Sequence, residues 1–263
     1  MNQPFDPVPA TRPLIGTSTK MNLTRDEAAA YGQRLVERLD GATEVLVFVL
    51  PPLTAIDVMR DALAGTPILH GAQNVHHEDA GAYTGEVSAP MLADLGCRIV
   101  EVGHSERRRD QCETDELIAR KVAAILRHGM WPLICVGESG TDRAAGVDAE
   151  VVYRQLETIL GAMPIGSLAR VIVAYEPWWA IGVGAEAAPF DHVCHMHASI
   201  RAWLKRCGPT GTSVPILYGG SVDAANAQGL LDTPDVDGLF IGRAALDPDV
   251  FASIAALRPA ATR

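Results

Sequence analysis

VIVAYE, residues 171–176, is five apolar residues in a row closed by a carboxylate. A strand with one wet face alternates apolar and polar side chains. An unbroken apolar run instead suits a strand covered on both faces, as in a parallel sheet. Seven other stretches read the same way: PLIG (13–16), VLVFVL (45–50), PILHGA (67–72), RIVEVG (98–103), WPLICVG (131–137), VPILYGG (214–220) and VDGLFIG (236–242). Longer amphipathic segments lie between them. Residues 24–39 open on Thr24 and Glu27, the spacing of a capping box. Residues 113–128 put Leu117, Val122, Ile125 and Leu126 on one side, and 189–206, 223–231 and 247–257 also read as helices. Eight strands in this rhythm over residues 12–263 predict one α/β domain, a (β/α)8 barrel. A doubly wound sheet is the alternative, because strand count alone does not close a barrel. Residues 1–11, with three prolines and no periodicity, read as a loose tail.

Composition narrows the function classes. The 263 residues are 48% hydrophobic and 21% charged, which suits a folded globular chain rather than a disordered one. The formal charge of −10 has the wrong sign for a nucleic-acid binder, so an anionic ligand must be held by local groups against the global field. No apolar run approaches the roughly 18 residues of a membrane span, and the N-terminus has no basic segment followed by an apolar one. Five cysteines (Cys97, Cys112, Cys135, Cys194, Cys207) form no CxxC, so a zinc ribbon or redox motif is not expected. An odd count of free thiols fits a reducing compartment, and the cytoplasm is the expected location.

In a barrel the C-terminal strand ends face the active site. The polar residues there are Lys20 after the first strand, Gln73 and Asn74 after the third, His104 and Glu106 after the fourth, Glu138 after the fifth, Glu176 at the end of the sixth, and Ser221 and Gly242 after the last two. Each alone reads more readily as a structural group. One carboxylate, one imidazole and one ammonium converging on one rim is the pattern of a catalytic site. YGGSV (218–222) and IGRAA (241–245) offer backbone amides where barrels often hold phosphate, or are two ordinary turns. PWWAIGVGAEA (177–187) pairs stiff aromatic residues with a small, backbone-rich tip, as a lid would. HMH (195–197) reads as a partly exposed helix stretch rather than a metal site, since i, i+2 residues do not share a helix face.

Taken together, TKMN (19–22), GAQNVH (71–76), GAYTGE (81–86), GHSERR (103–108), CVGE (135–138), AYEPWWAIG (174–182), YGGSV (218–222) and DGLFIG (237–242) resemble triosephosphate isomerase in order and spacing, from about Gly16 to the last helix. The resemblance implies a TIM barrel and a cofactor-free, metal-free isomerase of small phosphorylated sugars. It implies that Glu176 is the catalytic base, His104 the electrophile, Lys20 the active-site lysine and Glu106 the carboxylate beside it. Residues 177–187 would be the mobile lid, and Gly182, Ser221 and Gly242 would grip phosphate. GAYTGE would insert into a neighbouring subunit, with Thr84 reaching the partner's site, so a homodimer is expected.

The departures from the family pattern are specific. The usual first-loop motif NWKMN is STKMN here, so Ser18 stands where asparagine is usual and Thr19 where tryptophan is. The glycine pair after the eighth strand is Gly242 and Arg243, and the lid carries Trp178 and Val183. GTSxKMN and DGLFIGR resemble the branch of erythrulose-phosphate isomerases of tetritol (erythritol) catabolism, although Thr19 departs from that branch too. The substrates of that branch, L-erythrulose 1-phosphate and D-erythrulose 4-phosphate, carry CH2OH where the trioses carry hydrogen. Ser18 would free room beside the carbonyl and place a small hydroxyl there as part of the substrate-binding site. Triosephosphate isomerase itself is the alternative, and a catalytically inactive phosphate-binding barrel is a third reading.

Overall fold

Eight short parallel strands pair in chain order and close on themselves: β1 (Leu14–Ser18), β2 (Leu46–Leu50), β3 (Leu69–Ala72), β4 (Ile99–Val102), β5 (Trp131–Val136), β6 (Ile172–Tyr175), β7 (Ile216–Tyr218) and β8 (Gly238–Ile241). The closing pair is β1 with β8, Leu14 against Gly238 through Thr17 against Ile241. That pairing makes the fold a TIM barrel and removes the doubly wound alternative, which has two open edges. The computed structural model describes residues 6–9, 13–39, 44–161, 163–182 and 184–259.

The strands are apolar throughout because both faces are covered. Outward residues such as Ile15, Val47, Val49, Val100, Val102 and Val173 pack beneath the helices. Inward residues fill the lumen: Leu14, Phe48, Leu50, Ile99, Leu133, Ile172, Ala174, Leu217 and Phe240. Phe48 and Phe240 stack at 5.9 Å between centroids, in space that Gly16 leaves open. The period of two then decides what points into the mouth. Continuing the inward set by one step reaches Ser18 on β1, Glu101 on β4, Cys135 on β5 and Glu176 just past β6.

Helices follow the expected places with shifted edges. The first is Arg25–Arg38, and the Glu27 carboxylate accepts from the Thr24 backbone N–H at 2.7 Å. In Asp115–Arg127 the buried residue of the first turn is Ile118, with Leu117 half-buried, so the apolar face is turned by one position. The stretch expected as helix over 223–231 is helical only at Ala227–Leu231, because the Asp223 carboxylate accepts from the N–H groups of Ala225 and Asn226 and makes a turn first. Helix Phe190–Arg206 is anchored by Arg201, which bonds Asp235, Asp237 and the Val214 carbonyl. Of the expected loose tail 1–11, residues 6–9 are described, and they are docked. Val8 is buried and donates to the Ala169 carbonyl, while Trp131 donates from its indole to the Asp6 carbonyl. The N-terminal end of the lumen exposes apolar side chains, and Val8 covers them.

All five cysteines are free thiols. Among the described residues no helix is long and apolar enough to cross a membrane.

One close approach ties the scaffold to the mouth. A Cβ on Gly137 would lie 1.9 Å from the Glu176 carbonyl oxygen, so a side chain there must push the strand end that carries Glu176. Gly137→Ala is expected to cost about 1–3 kcal/mol as overpacking, lowering Tm by roughly 5 °C, and to lower kcat. Thermal melts and initial rates check it; an unchanged protein would show that this contact imposes no constraint.

Candidate active site

Lys20 follows β1 with its backbone at φ 52°, in the left-handed region that a side chain disfavours. Such a conformation persists where the surroundings over-determine it. Gln73 supplies that hold: its amide donates to the carbonyls of Lys20 at 3.0 Å and Leu50 at 2.9 Å. Thr19 N–H donates to Leu50 O, and the Asn22 amide to Thr19 O. The ammonium so placed bonds Glu106 at 2.7 Å. Partial burial works to raise the Glu106 carboxyl, but Lys20, with His104 and Arg109 beyond it, outweighs burial and holds it below the usual carboxylate range.

His104 is the N-cap of the short helix Ser105–Asp110. The Glu106 N–H donates to its Nδ1 at 3.2 Å, which assigns the ring proton to Nε2. Nε2 faces the Glu176 carboxylate, 3.6 Å from Oε1. Glu176 is 2% exposed, and its Oε2 has no protein partner. Gly219 leaves the space for its chain, since a Cβ there would lie 2.8 Å from Glu176 Cγ.

Two cavities meet at this point. The larger, about 630 Å³, holds Glu176, His104 and Lys20 at one end and Gly182, Ser221 and Gly242 at the other. The smaller, about 400 Å³, lies on the opposite side, over Gln73, Asn74 and Glu86. Ser18, Lys20, His104 and Glu106 line both. The structure therefore brings together every residue expected in the catalytic and substrate-binding sets. Thr84 stands apart, on an exposed loop beyond the smaller cavity.

Other strand-end candidates prove structural. Asn74 accepts from the buried Lys121 at 2.8 Å, which also bonds Glu113 at 2.5 Å. Glu138 is buried and accepts from the Tyr175 hydroxyl and the Trp179 indole. It thereby holds the root of the expected lid. The lid is also tied by Ser221, whose backbone N–H and hydroxyl both donate to Ala180 O. Arg243 reaches across the larger cavity, and its Nη2 donates to Gly182 O at 2.5 Å. Val183, noted as unusual in the lid, lies outside the described residues. In the HMH stretch His195 is exposed, whereas His197 is buried, and burial pushes it down to about 4 while Nδ1 meets Asp235 O at 3.0 Å.

Glu101 was missed by the sequence reading. It is 2% exposed, on the lumen side of β4, within the layer that holds Glu176. Burial pushes its carboxyl up to about 7; His104, the Ser18 hydroxyl bond and Lys20 oppose the rise, and the Glu176 charge adds to it. The Cys135 thiol points at Oε1 from 3.8 Å. Glu101, His104 and Glu176 each bring one ligand atom to within 4.8 Å of the others, a spacing that would admit a cation at the cost of engaging all three. The available signal was a lone acid inside the apolar run Ile99-Val100-Glu101-Val102.

A carboxylate, an imidazole and an ammonium around the mouth of a (β/α)8 barrel, with backbone-rich loops opposite, define an isomerase of sugar phosphates. The chain belongs to the triosephosphate isomerase family, whose sequence pattern matches residues 13–258. It is 44% identical over 244 residues to an L-erythrulose-1-phosphate isomerase of Rhizobium etli, covering 92% of this chain and 91% of that one. It is 43% identical to a triosephosphate isomerase of Roseiflexus sp., covering 94% and 98%. Among solved structures it resembles the triosephosphate isomerase of Bartonella henselae, with a TM-score of 0.83 and 37% identity over 92% of this chain and 97% of that one.

The Glu101 carboxyl is raised above its unfolded range near 4.5. Its bound proton therefore favours the fold fully below about pH 4.5, and that contribution is lost as pH rises through 7. Glu101→Gln keeps a neutral group at every pH. Its stability relative to the parent should thus grow between pH 5 and pH 8, by on the order of 3 kcal/mol. Urea unfolding of both proteins at the two pH values measures this; a difference independent of pH would mean that the carboxyl titrates normally.

Proposed function

We propose that the protein interconverts L-erythrulose 1-phosphate and D-erythrulose 4-phosphate through an enediol. Glu176 takes the proton from the carbon beside the carbonyl. The C–H electron pair becomes the enediolate double bond, and the carbonyl oxygen takes up negative charge. Lys20 stabilises that charge, a contribution that is largest in a preorganised, dry site. The Nε2–H of His104 donates to the same oxygen and returns a proton from the neighbouring hydroxyl. Glu176 then delivers its proton to the former carbonyl carbon, and no redox partner is consumed. Glu106 holds Lys20 in place. Gly182, Ser221, Gly242 and the turn Gly219–Gly220 receive the phosphate at the far end of the larger cavity. Closure of the lid over it excludes water and strengthens each charge contact.

The observation that carries the choice of substrate is Ser18. It lies at the junction of the two cavities, 5% exposed, where the family usually has the larger asparagine. The four-carbon substrates differ from the trioses by one CH2OH at the end away from phosphate, which is the side this substitution opens. The relative from Rhizobium etli bears that activity in its name. A second reading, triosephosphate isomerase, is favoured by relatives of nearly the same identity.

The working form in this reading is a cytoplasmic homodimer. The loop 81–86 is exposed throughout and carries Thr84. Met21 is 98% exposed at the rim of the smaller cavity, and a second copy's loop would cover it.

Side-by-side kcat/KM for L-erythrulose 1-phosphate and dihydroxyacetone phosphate tests the substrate. A preference of about 100-fold for the tetrulose is expected, equal to roughly 2.7 kcal/mol of differential transition-state binding; a triose preference would reverse the assignment. Glu176→Asp withdraws the carboxylate by one methylene, and a misplacement of that size costs about 100-fold in kcat. Inhibition by inorganic phosphate should stay within about twofold, since the phosphate end is untouched; a kcat within a few-fold of the parent would remove Glu176 as the base.

A further inference from the structure

The smaller cavity is floored by an acidic side chain that the mechanism does not use. Glu101 points inward from β4, one step above Ile99, and lines the smaller cavity but not the larger. It is buried, yet its donors are few: the Ser18 hydroxyl and the weak Cys135 thiol at 3.8 Å. A carboxyl offers about four acceptor positions when ionised. A buried acceptor left short of donors costs free energy that an incoming hydroxyl would recover.

The direction of the substrate follows from the two cavities. In the reading above, phosphate would lie toward Ser221 and Gly242, and the carbonyl between His104 Nε2 and Lys20. Whatever extends beyond the carbonyl, away from phosphate, enters the smaller cavity. We propose that Glu101, acting with Ser18, binds the terminal hydroxyl of a four-carbon substrate and is the residue that selects tetrulose over triose phosphate. This inference rests on the tetrulose reading above and deepens it. The hydroxyl donates to the Glu101 carboxyl while Ser18 supplies the neighbouring contact. A triose brings no group to that position, so in its complex the carboxyl keeps only the Ser18 hydroxyl and the weak Cys135 thiol. A site built around a substrate hydroxyl discriminates strongly for that reason.

The test uses the full-length enzyme with Glu101→Leu, which removes the acceptor and suits an apolar lumen, and Glu101→Gln, which keeps an acceptor oxygen. The readout is the ratio of kcat/KM for L-erythrulose 1-phosphate to that for dihydroxyacetone phosphate. The Leu variant should collapse the ratio about 100-fold and the Gln variant about 10-fold or less. Inhibition constants for erythritol 4-phosphate and glycerol 3-phosphate, which cannot react, should shift in the same order and separate binding from chemistry. A parent that prefers tetrulose with a Leu variant of unchanged ratio would overturn the role of Glu101 alone. Equal loss on both substrates would mark Glu101 as a support for the reaction centre and would also overturn it. A parent without tetrulose preference would remove the tetrulose reading, and this proposal with it.

Discussion

The active site depends on the inward alternation of a closed parallel barrel. Once β1 pairs with β8, each strand has one set of side chains locked into a dry lumen. The lower positions of each set fill that lumen with apolar volume, and the last position has nowhere to go but the mouth. Ser18, Glu101, Cys135 and Glu176 occupy that last layer. Two carboxylates thus share one poorly solvated layer, with His104 above both. Like charges at such spacing oppose joint ionisation. Burial is what chiefly raises the Glu101 carboxyl, and the neighbouring Glu176 charge adds to the rise.

What surrounds this layer is arranged to hold it still. Lys20 is kept at an unfavourable φ by Gln73, a residue on the next-but-one strand's loop, so the ammonium is aimed before substrate arrives. Glu106 and His104 start one short helix, which couples the ammonium and the imidazole through two adjacent bonds. The buried Lys121–Glu113 pair with Asn74 and Arg107 secures the outer wall. Charges buried in this way are costly unless they are partnered; here Glu113 takes both cations on Oε1, while its Oε2 has no protein partner. The lid is treated differently. Its root is tied to Glu138 through Trp179, while its tip is met by exposed side chains and carbonyls such as Arg243 on Gly182.

The sequence was most legible where the information is local. Unbroken apolar runs mark the strands, and the polar residue after each run marks the rim, where Lys20, His104, Glu106, Glu176, Ser221 and Gly242 line one cavity. Closure was not legible from periodicity, because β1–β8 pairing joins the two ends of the chain and leaves no local mark. The same local rule also over-reached. Asn74 and Glu138 sit at strand ends as Glu176 does, but their partners, Lys121 and Trp179, are distant in sequence and turn them into supports. It under-reached at Glu101, since reading 98–103 as one covered strand averages its acid into the apolar run. The docking of Val8 escaped for the converse reason: three prolines mark an irregular path, and an irregular path can still be buried.

In the proposed reading, the chemistry and the selectivity of this site occupy opposite sides of one carbonyl position. Glu176 and the loops assigned to phosphate line the larger cavity alone, while His104 and Lys20 line both. Ser18 and Glu101 lie where the fourth carbon would go. On that reading, changing the substrate would require no new catalytic group, only a new distal wall built from lumen positions that otherwise serve packing. Relatives of nearly equal similarity bear two different activities in their names, as such a reading would have it, because global identity is dominated by the barrel. A few lumen side chains weigh little in that measure. They weigh heavily in energy, because a hydroxyl with or without a partner in a dry site is worth more than the area it covers.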